Sequence, residues 1–73
     1  MSEVQLTSIF GNNLRRLRTQ RRISQAEMAR LMGTKRNQVW RLENETSNPK
    51  LSTLTKICEI LDVNYNELLE LQS

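Results

Sequence analysis

The stretch from Ser24 to Asn44 constrains this chain of 73 residues more than any other part of it. Its apolar residues fall at helical spacing twice, with one glycine between the two runs. Met28 and Met32 stand at i and i+4 with Ala29 beside them, which makes one apolar face of a short helix. Gly33 ends that helix, because glycine enters the left-handed conformation that closes a helix without steric cost. Val39 and Leu42 then restart the spacing for a second short helix. Ala29 marks where the two helices cross most closely, since a side chain larger than methyl would wedge them apart. The outer face of the second helix carries Lys35, Arg36, Asn37, Gln38 and Arg41, side chains that match phosphates and base edges. This pattern points to recognition of double-stranded DNA.

The remaining apolar periodicity completes an all-α fold. Residues 1–7 read as a short N-terminal arm, with Thr7 or Ser8 as the cap of a first helix that buries Phe10, Leu14 and Leu17. Arg21 and Arg22 lie in the connection, and Ile23 is an apolar plug before Ser24. Ser24 followed three residues later by Glu27 matches the capping box, in which each side chain satisfies the other's backbone N–H. Pro49 blocks helical continuation from Asn48, and Ser52 is the expected cap of a fourth helix with Leu54, Ile57, Cys58 and Leu61 inward. Asn64 caps a fifth, whose apolar positions are Tyr65, Leu68, Leu69 and Leu71. The expectation is a five-helix bundle with helices over about 8–20, 25–32, 35–43, 52–61 and 64–71. Residues 8–73 would form a single domain, since the length leaves room for one modest core.

Charge is distributed unevenly along this order. Residues 11–42 hold nine basic side chains against Glu27 alone, whereas residues 51–73 hold Lys56 against Glu59, Asp62, Glu67 and Glu70. A basic half and an acidic half suit a domain that turns one face to a polyanion and keeps the other away. Composition also excludes several classes. With no histidine and one cysteine, the usual zinc sites and nucleophile–base pairs cannot be built, so no enzyme, metal or other cofactor is expected. Cys58 sits in an apolar-periodic stretch and reads as a buried, inert thiol. No apolar run approaches the roughly 20 residues that span a bilayer, so neither a membrane role nor a targeting segment is expected and the location should be cytoplasmic.

Individual roles follow from helical position. Gln25 opens the first helix of the pair, where free N–H groups and the positive dipole end favour a DNA phosphate. Arg36, Asn37 and Arg41 are the expected base readers, because arginine matches guanine and asparagine matches adenine in the major groove. Lys35 and Gln38 suit phosphates or bases. Trp40 stands beside the buried Val39 but out of line with it, so it should be partly exposed, either covering the junction with loop 44–50 or packing on the sugar-phosphate backbone. Arg18 and Glu43 make an internal ion pair that would orient the second helix of the pair.

At this point the chain resembles the lambda repressor/Cro-type helix-turn-helix proteins. The resemblance covers about residues 11–71 and rests on Leu14-Arg15-Arg16-Leu17-Arg18, Ser24-Gln25-Ala26-Glu27-Met28-Ala29, Gly33, the run Val39-x-Arg41-Leu42-Glu43-Asn44, and Asn48-Pro49-x-Leu51. It implies a DNA-binding five-helix bundle that works as a two-fold dimer on a pseudo-palindromic operator. It supports Gln25 as anchor and Arg18–Glu43 as structural pair, and places Asn44 and the following loop, with Ser47 and through Lys50, along the DNA backbone. Two residues depart from the family pattern. Lys35 replaces the usual capping Ser or Thr, so Thr34 is expected to cap one residue early. Glu45 replaces the usual glycine, so Asn44 or Glu45 is expected to take the left-handed turn conformation at some cost.

The function expected is a transcriptional regulator, a repressor of phage, plasmid or restriction-modification controller type, with no small-molecule effector. Tyr65, Leu68, Leu69 and Leu71 exceed what a small core hides, which assigns them to a homodimer interface. One rival is an antitoxin-like module that offers its acidic half to a protein partner while regulating its own promoter. The other is a non-specific architectural DNA binder, against which the mixture of Asn37, Gln38 and arginines argues, since phosphate binding needs only charge.

Overall fold

The fold is assembled around the pair of short helices that the glycine separates. A computed structural model describes residues 3–45 and 49–70, with side chains from residue 9 onward. Its elements are α1 (Glu3–Gln20), α2 (Gln25–Met32), α3 (Arg36–Asn44), α4 (Leu51–Leu61) and α5 (Tyr65–Leu69), with no strand among the described residues. The all-α architecture is therefore as expected. Most of the predicted arm, however, belongs to α1, and Thr7 and Ser8 lie inside that helix rather than capping it. No Gly or Pro interrupts residues 3–8, and Glu3 sets negative charge at the positive end of the dipole, so the helix starts early.

Helix α1 packs on α3 and α5, α2 on α3 and α4, and α4 on α5. The core joins Phe10, Leu14 and Leu17 of α1 to Met28, Ala29 and Met32 of α2, Val39 of α3, Ile57, Cys58 and Leu61 of α4, and Leu68 of α5. Leu68 is fully buried. It closes the core and is thereby withdrawn from the surface assigned to dimerisation; Leu71 lies outside the described residues. Burial pushes the Cys58 thiol up, and the carboxylates of Glu67 and Glu59 add to the shift, so the sulfur stays protonated.

The helix ends show how the chain turns. At the end of α1, Arg22 takes the left-handed conformation (φ 58°) while Ile23 N–H reaches back to the Arg18 carbonyl, a motif usually given to glycine. Ser24 Oγ accepts from Glu27 N–H at 3.0 Å, which is half of the expected capping box. The other half does not form, because the Glu27 carboxylate turns to Arg30 one turn on, and those bonds hold its carboxyl below the usual range. The complete box occurs instead at α5, between Asn64 and Glu67.

Three other termini correct the sequence reading. The cap of α3 is Lys35, not Thr34, because Thr34 N–H is already bound to the Ala29 carbonyl as part of the left-handed turn at Gly33 (φ 73°). Glu45 is extended rather than left-handed. Its N–H bonds the Arg41 carbonyl while Asn44 Nδ2 bonds that of Trp40, so neither Asn44 nor Glu45 takes a positive φ. Helix α4 starts at Leu51 with Lys50 as its cap, two residues before the expected cap Ser52, since the Lys50 carbonyl already accepts from Thr53 and Leu54.

Candidate nucleic-acid interface

Helix α3 lies with Val39 and Glu43 buried and Lys35, Arg36, Asn37, Gln38, Trp40 and Arg41 exposed. Its amphipathic spacing dictates this: Val39, Leu42 and Glu43 fall on the inner side, and the residues between them must face water. The outer side thus presents three cations, two carboxamides and an indole on one short rod. Trp40 is 45% exposed, as its phase implied. Gln38 stands toward α4, where it shares an open cleft with Met32, Thr34, Leu42, Ser52, Thr53 and Lys56. Lys50 is exposed at the start of α4, and Ser47 lies outside the described residues.

Behind this rod sits a buried carboxylate. Arg18 donates from Nε to Glu43 Oε2 at 2.6 Å and from Nη2 to Oε1 at 3.1 Å, a two-pronged pair whose remaining Nη1 bonds the Ile23 carbonyl at 2.6 Å. Both residues are buried, and the bonds to Ile23 and Gln25 satisfy groups that water would otherwise have to reach. Gln25 Nε2 donates to Glu43 Oε1 at 3.1 Å. The structure therefore turns the Gln25 amide inward, onto the network that steadies α3. What remains for a phosphate at that corner is its backbone N–H and the second hydrogen of Nε2.

Two residues to which the sequence reading gave no role of their own complete the arrangement. Arg15 donates from Nη2 to Asn44 Oδ1 at 2.7 Å and holds Nε 3.6 Å from Glu43 Oε1. Asn44 Nδ2 in turn donates to the Trp40 carbonyl at 2.9 Å. Gly11 is buried where α1 crosses the end of α3, and a Cβ there would lie 2.7 Å from the Glu43 carbonyl oxygen and 2.9 Å from that of Leu42. Gly11, Arg15 and Arg18 stand at i, i+4 and i+7, so one stripe of α1 meets α3. That spacing was visible in the sequence, but its partner helix was not. Asn13 was missed too: its Nδ2 donates to the carbonyls of Leu68 and Glu70, each at 2.7 Å, and so ties α5 to α1.

On α4 and α5 and at their C-terminal ends Glu59, Asp62, Glu67 and Glu70 are all exposed, and Tyr65 is 41% exposed with its hydroxyl 2.5 Å from Thr55 Oγ1. Leu69 is half-buried against the core. Among the described residues no group of acids and cysteine could hold a metal ion, and no helix is long and apolar enough to cross a membrane.

Two short packed helices joined through the left-handed Gly33, with the second offering an exposed cationic and carboxamide face, define a helix-turn-helix DNA-binding domain. Residues 13–73 match the model of the Cro/C1-type HTH DNA-binding domain, and the chain belongs to this family of DNA-binding regulators. Among curated relatives it is 33% identical over 60 residues to the antitoxin PezA of Streptococcus pneumoniae, covering 82% of this chain and 38% of the relative. It is 37% identical over 62 residues to YonR, an uncharacterized HTH-type transcriptional regulator derived from the SPbeta prophage of Bacillus subtilis, covering 85% of this chain and 57% of YonR. The chain thus spans less than two thirds of either relative. Among solved structures, the restriction-modification controller protein C.AhdI of Aeromonas hydrophila superposes with a TM-score of 0.78 at 35% identity, over 85% of this chain and 94% of that one. The hypothetical transcription factor NHTF of Neisseria gives 0.82 at 32% identity, over 94% and 79%.

Proposed function

We propose that this chain is a sequence-specific repressor of phage, plasmid or restriction-modification controller type, working in the cytoplasm without enzymatic activity, cofactor or small-molecule effector. It inserts α3 into the major groove, with Arg36, Asn37 and Arg41 as base readers. Lys35, Gln38 and Trp40 flank them, and Gln25, Asn44, Ser47 and Lys50 follow the backbone. The observation that carries this reading is the exposed face of α3 set on the buried Arg18–Glu43 pair, which Gln25 also bonds. A helix that only coated phosphates would need charge but no such rigid seat. The similarity to C.AhdI supports the controller assignment.

One domain of this size makes few base contacts, and pairing two copies on a pseudo-palindrome multiplies affinity and specificity. Tyr65, with Leu69 at its edge, is the apolar part of α5 left for that pairing once Leu68 is counted in the core. The test is selection of bound duplexes from a random pool. The expected product is two half-sites about one helical turn apart, and a single asymmetric site would refute the dimer. Arg41→Ala should cost about 1–3 kcal/mol on the selected duplex and relax preference at one base position. An equal loss on random DNA would remove Arg41 from the readers.

The similarity to PezA favours a second reading, in which the same face regulates the chain's own promoter and the acidic surface of α4 and α5 holds a protein partner. A chain that co-purifies stoichiometrically and is released by charge reversal at Glu59 and Glu67 would favour it over the homodimer.

A further inference from the structure

Helix α3 begins without a side-chain cap, and at its end Glu45 is extended, its N–H on the Arg41 carbonyl, while Asn44 Nδ2 bonds that of Trp40. A short helix with no side-chain cap at its start has little local stiffness there, because an unmet end frays. Its direction is therefore set from outside. Gly11 fixes how closely α1 approaches, and Arg18 fixes the buried Glu43. Both act on the inner side of the final turn, at Leu42 and Glu43, whereas Asn44, which ends that turn, is exposed.

The exposed end of that turn is held by Arg15. Its side chain is 47% exposed, so it is not placed there by burial. It spans from Glu43 Oε1, which has no exposure, to Asn44 Oδ1, and Asn44 passes the constraint to the Trp40 carbonyl within the reading helix. A planar guanidinium can make both contacts at once, whereas an ammonium on a flexible stem offers charge without that fork. We propose that Arg15 is a positioning residue for DNA discrimination: through Asn44 it sets the orientation of the last turn of α3, and with it Trp40 and Arg41. The proposal rests on the reading of α3 as the base-reading helix. As a half-exposed pair, Arg15–Glu43 contributes little to global stability, so its effect on recognition can be separated from unfolding.

The experiment uses the full chain and two probes, a duplex selected from a random pool by the wild-type protein and a random duplex of equal length. Arg15→Lys keeps the charge and removes the fork. It should weaken the selected duplex about fivefold to tenfold, as expected for contacts coupled in one network, and leave the random duplex and the salt slope unchanged. Asn44→Ala should lower the ratio of selected to random affinity by a similar factor, on top of an equal loss on both duplexes from its own backbone contact. The double variant should be no weaker than Asn44→Ala alone, because both act on one path. Thermal midpoints should stay close to wild type. Full rescue by lysine would show that Arg15 supplies only charge and would overturn the proposal, as would equal loss on both duplexes in Arg15→Lys or additive losses in the double variant. If the wild-type chain selects no duplex, the base-reading function itself falls, an outcome distinct from these.

Discussion

Helices α2 and α3 differ by one residue in length, eight against nine, yet they are held by opposite means. Helix α2 carries its own boundaries: Ser24 caps the start and Gly33 turns left-handed at the end, its N–H reaching the carbonyls of Ala29 and Arg30. Helix α3 has Lys35 at its start with no side-chain bond and an extended Glu45 at its end. Its hold comes from α1 and α2, through Gly11, Arg15, Arg18 and Gln25. The difference follows from function. A reading helix must leave one whole side bare for DNA, so its restraints have to converge on the inner side and on its last turn. Helix α2 has no such demand and can be fixed by residues of its own.

The largest effect should come from removing the shared restraint. Arg18→Met leaves the buried Glu43 carboxylate with Gln25 and the more distant Arg15 and should cost about 3 kcal/mol in urea denaturation, near the lower end for a broken buried pair. Stability of a domain this small totals only several kcal/mol, so the loss is a large share of it. A cost no greater than that of losing one helix cap would mean that α3 does not depend on the network, and the contrast with α2 would disappear.

This contrast also explains what could be read in advance. Local restraints are written in adjacent residues, so the end of α2 at Gly33, the cap at Ser24 and the core positions Phe10, Leu14, Met28 and Val39 were legible from spacing alone. Arg18–Glu43 was legible because a charged pair at helical phase with the core has few places to go. Gly11, Asn13 and Arg15 were not, because each acts on residues far along the chain, such as Asn44 for Arg15, and a single sequence does not print that juxtaposition. The misplaced caps share one cause. Thr34 and Ser52 have capping chemistry, but backbone bonds formed by the preceding or following turn had already fixed the register. Glu27 had the right spacing for a box and a better partner in Arg30.

A smaller effect should mark α2. Ser24→Ala removes the one side-chain bond at its start and should cost about 1 kcal/mol, the usual value for such a cap. Since α2 is self-contained, the loss should appear in the denaturation midpoint and leave the ratio of selected to random DNA affinity unchanged. A change in that ratio would show that the start of α2 also sets the angle of α3, through the adjacent Gln25 and its bond to Glu43.

The smallest effect, and of opposite sign, is expected at the bare start of α3. Lys35 is extended and exposed, the backbone geometry that a capping serine requires. Lys35→Ser should therefore gain about 0.5–1 kcal/mol of stability, because its hydroxyl can accept one of the unmet N–H groups. The same change removes a cation from the face offered to DNA. If Lys35 meets a phosphate, the slope of log affinity against log salt should shrink by about 0.9 on selected and random duplexes alike. A more stable protein that binds both duplexes less tightly would show why a cation stands where a cap belongs: at this end of the reading helix, contact with the backbone outweighs local helix stability. Gain in stability with unchanged binding would instead make Lys35 a bystander, and α3 would owe its missing cap to nothing in the interface.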